Sequence, residues 1–304
     1  LKKKEIIIIS TACEDLAREL NKYNYKIFAI CIYRSLNLEK YCKKVFVLKN
    51  FNENKILKIL NQIDPFEKKG ILIGTGFAEE ITKKKIISKR QNFGNKFDTI
   101  RKVKSNLFFS ELKKNNINHP KSTLLKPKSN DWLIKSFSSV GGIRIKKINQ
   151  KLKDLEPNEY YQKFIKNGEF LSVQFFCKNN SASILSVCEQ LMSKRTKNPF
   201  LIESLITKKV TFGFFKRLKI IVNRVSKIFK LNGLNNLDFI RIKKKIYIIE
   251  LNPRPGLGIN IVSKLRKNFF NFENNAFKNY SNEFHFSTTI LYARKKILID
   301  KKKL

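Results

Sequence analysis

Histidine is nearly absent from this sequence: His119 and His285 are the only two in 304 residues. The five cysteines, Cys13, Cys31, Cys42, Cys177 and Cys188, form no CxxC pair. These two scarcities exclude a zinc site of the usual Cys/His spacing. An odd, scattered set of thiols fits a reducing compartment. No stretch reaches the roughly 18 apolar residues of a membrane helix, and the apolar run within Leu1–Ser10 is too short for the core of a signal peptide. The expectation is a cytoplasmic protein that does not enter a membrane. Acidic residues are the scarce charge, 24 Asp+Glu against 64 Lys+Arg, for a net charge of +40. Such an excess raises nucleic acid, an anionic surface or a polyanionic substrate as partners. The basic residues are spread along the whole chain, however, and Lys, Asn, Ile and Phe share A/T-rich codons. Base composition therefore accounts for much of the bias, no RNA-binding motif accompanies it, and nucleic acid is not the expected partner.

Hydrophobic residues make up 42% of the chain and aromatics 12%, the composition of a folded protein long enough for two or three domains. Short apolar runs at Glu5–Ile9, Ile27–Tyr33, Val45–Leu48 and Gly70–Ile73 alternate with helical stretches such as Thr11–Asn21, which predicts a parallel α/β layer over residues 1–97. Gly74-Thr75-Gly76 follows the last of these runs and precedes Ala78-Glu79-Glu80; it reads as a ligand-approach loop or as a tight strand-to-helix turn. Asp98–Asn115 predicts one helix, closed before Pro120. Trp132–Lys135 and Ile143–Ile148 read as antiparallel strands joined by Phe137-Ser138-Ser139-Val140-Gly141-Gly142. A Ser/Gly loop of this kind can offer backbone N–H groups to phosphates, with Lys135 adding a point charge, although an ordinary hairpin with a solvated lysine fits as well. Strands follow at Tyr160–Ile165, Glu169–Cys177 and Ala182–Val187, then an amphipathic helix over Phe214–Lys230 with Gly233 as its stop. Two short β runs are expected within Phe284–Ile299.

The most informative stretch is Leu237–Gly258, LDFIRIKKKIYIIELNPRPGLG. Two β-rich runs flank Lys243, Lys244 and Lys245, and with Lys244 at the centre of the turn Ile242 faces Ile246, Ile240 faces Ile248 and Asp238 faces Glu250. Alternation then puts all six on one face, with Asn252 two residues beyond Glu250. Directly opposed carboxylates repel unless a cation, a shared proton or a basic side chain compensates. Asp, Glu and Asn oxygens are hard donors suited to Mg²⁺ held by few protein ligands plus phosphate. An edge hairpin with its acidic residues in solvent fits the same pattern.

This order of elements, with Asp238 followed by Glu250-Leu251-Asn252-Pro253-Arg254-Pro255-Gly256, resembles the ATP-grasp superfamily of carboxylate–amine ligases over nearly the whole chain. The resemblance implies a Rossmann-like N-terminal domain (1–97) and a two-part ATP-grasp fold, with a small subdomain over 98–166 and a large one over 167–304. It implies ATP and Mg²⁺ as cofactors, two ions with Mn²⁺ as a substitute. Asp238, Glu250 and Asn252 match the metal ligands. Lys104 and Lys135 match the lysines on ATP phosphate, Ser138, Ser139, Gly141 and Gly142 the covering loop, Gln162, Lys163, Phe164 and Ile165 the adenine hinge, and Glu169 the acid on the ribose. The family commonly has Glu where this chain has Gln162. Arg254 and Gly256 fall where the family stabilises the substrate carboxylate and its acyl phosphate. The reaction implied joins a small carboxylic acid to an amine through that acyl phosphate, in an enzyme that need not act alone and can be a homodimer. A bicarbonate-activating carboxylase of the same superfamily and a non-enzymatic polyanion binder are the alternatives. Gly76-Phe77, Tyr161-Gln162-Lys163-Phe164 and Glu189-Gln190-Leu191 further resemble a carboligase-like branch, some of whose members accompany tetrahydromethanopterin-linked one-carbon metabolism. That resemblance implies a pterin or furan precursor as substrate, with an amino acid such as glutamate.

Overall fold

The computed structural model describes residues 4–87, 89–148, 154–194, 196–266, 285–290 and 292. The elements in order are β1 (Glu5–Ile9), α1 (Glu14–Asn21), β2 (Lys26–Cys31), α2 (Leu38–Tyr41), β3 (Cys42–Val47), α3 (Glu53–Ile63), β4 (Gly70–Ile73), α4 (Phe77–Glu80), α5 (Phe97–Val103), α6 (Leu107–Lys114), β5 (Ser122–Thr123), β6 (Trp132–Ser136), β7 (Lys146–Lys147), β8 (Glu159–Lys163), β9 (Glu169–Lys178), β10 (Ser181–Met192), β11 (Ile202–Thr207), α7 (Phe212–Phe229), β12 (Gly233–Ile242), β13 (Lys245–Asn252), α8 (Ile259–Leu265) and β14 (Ser287–Thr289). They build three sheets. The first, ordered β3-β2-β1-β4, is parallel, as continuous apolar strands covered by helices on both faces require. The second runs β13-β12-β9-β10-β11-β14 and is antiparallel. The third, β5-β8-β6-β7, is small and also antiparallel. This is the predicted mixed α/β and α+β architecture.

The six-stranded sheet buries one face under α7. Phe214, Leu218, Val222, Val225 and Phe229 of that helix pack with Val173, Phe175, Leu237, Phe239, Ile246 and Ile248 of the sheet. Five such side chains, at about 1.5–3 kcal/mol each, hold the helix far more firmly than its propensity does. Thr211 caps its start, accepting the Phe214 N–H through Oγ1 at 3.4 Å. Its stop is Lys230, in the left-handed conformation at φ 50°. Gly233, expected to end the helix, instead opens β12 at φ +66°, where a Cβ would stand 2.3 Å from the Phe93 carbonyl oxygen. A second core joins Ile6, Ile8 and Leu72 of the parallel sheet to Phe176, Leu185, Leu234, Ile259 and Val262, so the N-terminal layer is packed against the large sheet.

Three further expectations are corrected. The helix over 98–115 is two helices, broken at Lys104-Ser105-Asn106, with Lys104 leaving helical geometry at ψ 42°. The strand over 143–148 contracts to the β7 pair, because Gly142, Ile143 and Ile145 are engaged in turns and in contacts with 198–202. In the β12–β13 hairpin Asp238 does pair with Glu250, but the turn is the two-residue Lys243-Lys244, so Ile242 pairs with Lys245, Ile240 with Tyr247 and Phe239 with Ile248. A bulge at Ile249 absorbs the extra residue and restores the register at Glu250. Ile246 and Ile248 consequently enter the α7 core instead of sharing the face of Asp238. Of the two β runs expected within 284–299, the first is β14, and the second lies outside the described residues.

Candidate active site

Between the open face of the large sheet, the small sheet and the end of the parallel layer lies a cavity of about 350 Å³. Its floor comes from alternate residues of β12 and β9, Asn236, Asp238 and Ile240 beside Phe170 and Ser172. The bulged strand β13 adds Ile249, Glu250 and Asn252. Lys135 reaches it from β6, Gln162, Lys163, Phe164 and Ile165 from the end of β8, Gly141 and Gly142 from the loop above, and Arg254, Gly256 and Thr75 from the far end.

Asp238 is buried and anchored by three amides. Its Oδ1 accepts from Gln190 Nε2 at 2.7 Å and Asn236 Nδ2 at 2.9 Å, and its Oδ2 accepts from Asn252 Nδ2 at 3.3 Å. Burial, followed by the neighbouring Glu250 carboxylate, pushes the Asp238 carboxyl up to about 6. Glu250 moves the other way. Burial would raise its pKa, but the Lys104 and Lys135 ammonium groups outweigh it and hold the carboxyl below its ordinary value. Lys104 Nζ donates to Glu250 Oε1 at 3.0 Å and to Asn252 Oδ1 at 2.8 Å. Lys135 Nζ donates to Gln162 Oε1 at 3.3 Å and to the Ile249 carbonyl at 3.4 Å, and burial pulls its pKa down. The compensating cations that the paired carboxylates demand are thus two lysines brought in by the helix break and by β6.

Arg254 is clamped. Its Nε and Nη2 donate to Glu79 Oε1 at 2.8 and 2.7 Å, and Nη1 and Nη2 reach the Pro255 carbonyl and Asn252 Oδ1, both at 3.3 Å. Glu79 in turn accepts the Gly76 N–H at 2.8 Å and lies 3.9 Å from Lys104 Nζ. Gly76 has φ +84°, and a Cβ there would stand 1.8 Å from Thr11 Oγ1, so the Gly-Thr-Gly segment is a tight turn that seats α4. Glu79 went unassigned in the sequence because an acid in the first turn of a helix is ordinary there. Its burial, with a fully covered side chain, is what marks it.

The covering loop is closed. Asn198 Nδ2 donates to the carbonyls of Gly142 and Ile143, and Ile202 N–H to that of Gly141. Four expected residues lie off the cavity wall. Ser138 is bonded to Ser136, and Ser139 accepts from the Arg144 N–H. Lys104 acts through Glu250 and Asn252. Glu169 is tied to Arg241 and, at 3.3 Å, to Lys208. Those two basic residues come from β12 and the end of β11, and only the sheet order brings them beside Glu169. The expected metal ligands, hinge and glycine pair do converge, together with Gln190, marked in the sequence only within the phrase Glu189-Gln190-Leu191, and Asn236, which sequence alone did not single out. No helix among the described residues is long and apolar enough to cross a membrane.

A sequence model of the ATP-grasp domain matches residues 102–257, from α5 through the Arg254 loop. No curated protein sequence matches. Among solved structures, the fold is similar to an ATP-grasp superfamily protein from Archaeoglobus fulgidus, at 17% identity, covering 86% of this chain and 83% of that one, TM-score 0.62. It is also similar to the L-amino acid ligase of Bacillus licheniformis, at 16% identity, 86% and 70% coverage and TM-score 0.66. A third likeness is to the N5-carboxyaminoimidazole synthetase of Staphylococcus aureus complexed with ADP, at 18% identity, 84% and 72% coverage and TM-score 0.64. At these identities the structural likeness carries the fold alone. With the domain matched over half its length, and with the three-sheet architecture and enclosed carboxylate pair to go with it, the chain belongs to the ATP-grasp family.

Proposed function

We propose that the protein is an ADP-forming ligase that activates a small carboxylic acid as its acyl phosphate and transfers the acyl group to an amine. The observation that carries this reading is the convergence on one cavity of Asp238, Glu250, Asn252, Lys135 and Arg254 beneath the Gly141-Gly142 loop. ATP would lie with adenine along Gln162–Ile165 and its phosphates between Lys135 and the loop. Asp238, Glu250 and Asn252 fit a divalent cation. They offer three hard oxygen donors, two of them carboxylates, and the position beside Glu250 and Asn252 is at present satisfied by an ammonium group. When bound, such an ion supplies charge neutralisation to the transferring phosphate. The protein's own residues do the rest. Lys135 and the loop N–H groups hold the phosphates, Arg254 and the Gly256 backbone orient the substrate carboxylate toward phosphorus and later stabilise the oxyanion, and the closed loop excludes water. No histidine or cysteine nucleophile is needed, in keeping with two histidines outside the site. The division at 97/98 and 166/167 belongs to the same reading, as does a pterin, furan or amino-acid substrate. Bicarbonate activation uses the same phosphate chemistry and differs in the acid supplied.

The test is thermal unfolding with and without Mg·ATP, in wild type and Glu250→Gln, at two salt concentrations. Occupancy at ~100 times Kd adds about 2.7 kcal/mol to the folded state. A Mg²⁺-dependent shift in wild type only is the expected result. Equal shifts in both proteins, or a shift abolished by modest salt, would mean that ATP is merely a polyanion on a basic surface.

A further inference from the structure

Beyond the metal ligands and the hinge, the cavity wall includes an apolar stretch, called the lobe below, that the functional reading leaves unassigned. It starts at Gln190, whose amide holds Asp238 at 2.7 Å, and runs outward along the sheet. Gln190 is paired with Leu205, and Met192 with Ile202, on the next strand. Leu205 is paired in turn with Thr288 of β14, and Ile290 and Tyr292 follow that strand onto the cavity wall. Leu257, which directly follows Gly256, packs with Leu205 and Ile202 and joins the lobe to the Arg254 end. The polar tip of Tyr292 is already occupied, since its hydroxyl donates to the Ile202 carbonyl at 2.8 Å and leaves the ring to line the space.

The charge around the lobe is equally specific. Among the described residues, the charged side chains on the cavity wall are Lys135, Lys163, Asp238, Glu250 and Arg254. Lys163 pairs with Asp131, Arg254 is clamped by Glu79, and Lys135 stands over Gln162 and Ile249. None of them belongs to the lobe. Among the described residues no charged side chain accompanies this stretch, so a second carboxylate or a phosphate placed against it would lose hydration without an ion partner among them.

We propose that the acid activated by this protein is a monocarboxylic acid with an uncharged, apolar body, aliphatic or aromatic, seated against Met192, Ile202, Leu205, Leu257, Ile290 and Tyr292 with its carboxylate toward Arg254. The inference rests on the ligase reading, and its test separates the two. Acyl phosphate is trapped with hydroxylamine. The carboxylate oxygen bonds to the γ-phosphorus as ADP departs, then the hydroxylamine nitrogen bonds to the acyl carbon as phosphate departs and a nitrogen proton passes to solvent. Hydroxamate and ADP are measured for unbranched monocarboxylates of increasing length, for phenylacetate, and for succinate and glutamate, alongside Mg·ATP-induced stabilisation. Each buried methylene should raise kcat/KM about four-fold until the lobe is full. Ile290→Arg, at a half-buried position whose backbone N–H donates to the Glu203 carbonyl, should flatten the series and bring succinate up; Ile290→Ala should reduce the slope without that gain. A flat or falling monocarboxylate series, or turnover confined to the diacids, overturns the inference while Mg·ATP binding stands. Absence of Mg·ATP stabilisation together with absence of any hydroxamate overturns the ligase reading itself and the inference with it.

Discussion

Replacing Glu79 by alanine leaves the Arg254 guanidinium, only 6% exposed, without the carboxylate that takes two of its N–H groups. Removing one partner of a buried ion pair is destabilising by about 3–5 kcal/mol, because the remaining charge stays desolvated. Two features place this pair toward the lower end: Arg254 keeps its bonds to the Pro255 carbonyl and Asn252, both 3.3 Å, and Lys104 loses a distant anion but not Glu250. The Gly76 N–H also loses its acceptor, which adds roughly 1 kcal/mol. A fall in stability of about 4 kcal/mol corresponds to a Tm lower by roughly 8–16 °C for a protein of this size. The informative assay is a double-mutant cycle by denaturant unfolding with Glu79→Ala, Arg254→Met and the double variant. The single changes should each be severe, and the double variant should be milder than their sum by about 2 kcal/mol or more. Independent sites add to within about 0.5 kcal/mol, so a cycle that closes within that margin would show that the clamp carries no coupling and that Glu79 is merely a buried helix residue.

The raised Asp238 carboxyl has a stability signature with a definite sign. Its folded value of about 6 lies above the ordinary 3.8, so its contribution is fully present below about pH 4 and is lost as pH rises through about 6. Melts of the nucleotide-free protein between pH 4 and 7 should therefore slope downward through that window in wild type, and Asp238→Asn should remove the slope; identical profiles would contradict the assignment. Because a cation needs the ionised form, Mg·ATP stabilisation should weaken as pH falls through about 6. Gly142 sits at φ +83° with a would-be Cβ 1.9 Å from the Phe200 carbonyl oxygen, so Gly142→Ala must lift the loop from its seat. An opposing strain of at least about 1 kcal/mol, in a loop already closed in this structure, should lower the Tm of the free protein and weaken nucleotide affinity by up to about five-fold, which a nucleotide titration followed by melting checks. Cys177 and Cys188 are buried and burial pushes both thiols up to about 12, so mass-spectrometric alkylation of the native protein at pH 8 should leave both unmodified until denaturant is added.

The parallel layer, the amphipathic helix and the carboxylate pairing are legible in the sequence because each follows a period, two for strands and 3.6 for helices, that a single residue's context cannot disturb. The errors fall where tertiary contacts overrule local preference. Nothing in Lys104-Ser105-Asn106 forbids a continuous helix, yet the break is what carries Lys104 to Glu250 and Asn252. Glu169 alternates correctly on its strand, and its salt bridges come from residues about 40 and 70 positions away in sequence. The hairpin is the most instructive case. A three-residue turn without a bulge and a two-residue turn with one contain the same number of residues between Asp238 and Glu250, so the sequence supports the right pairing through the wrong intermediate register.

The bulge at Ile249 makes β13 a strand in two phases. From Lys245 to Ile248 the strand's inward side chains serve the α7 core, and beyond the bulge the same strand delivers Glu250 and Asn252 to the opposite side. Turn length and bulge are thus two one-residue offsets of opposite sign. Ile249 is the surplus residue: with the two-residue turn kept, deleting it leaves Ile248 opposite Phe239 and Glu250 opposite Asp238, and a residue added at Lys244 lengthens the turn without moving any pair from Lys245 onward. Length changes at the Lys-rich turn should therefore be tolerated, and deletion of Ile249 should cost the cavity one wall side chain and Lys135 a carbonyl partner without displacing Glu250 from Asp238.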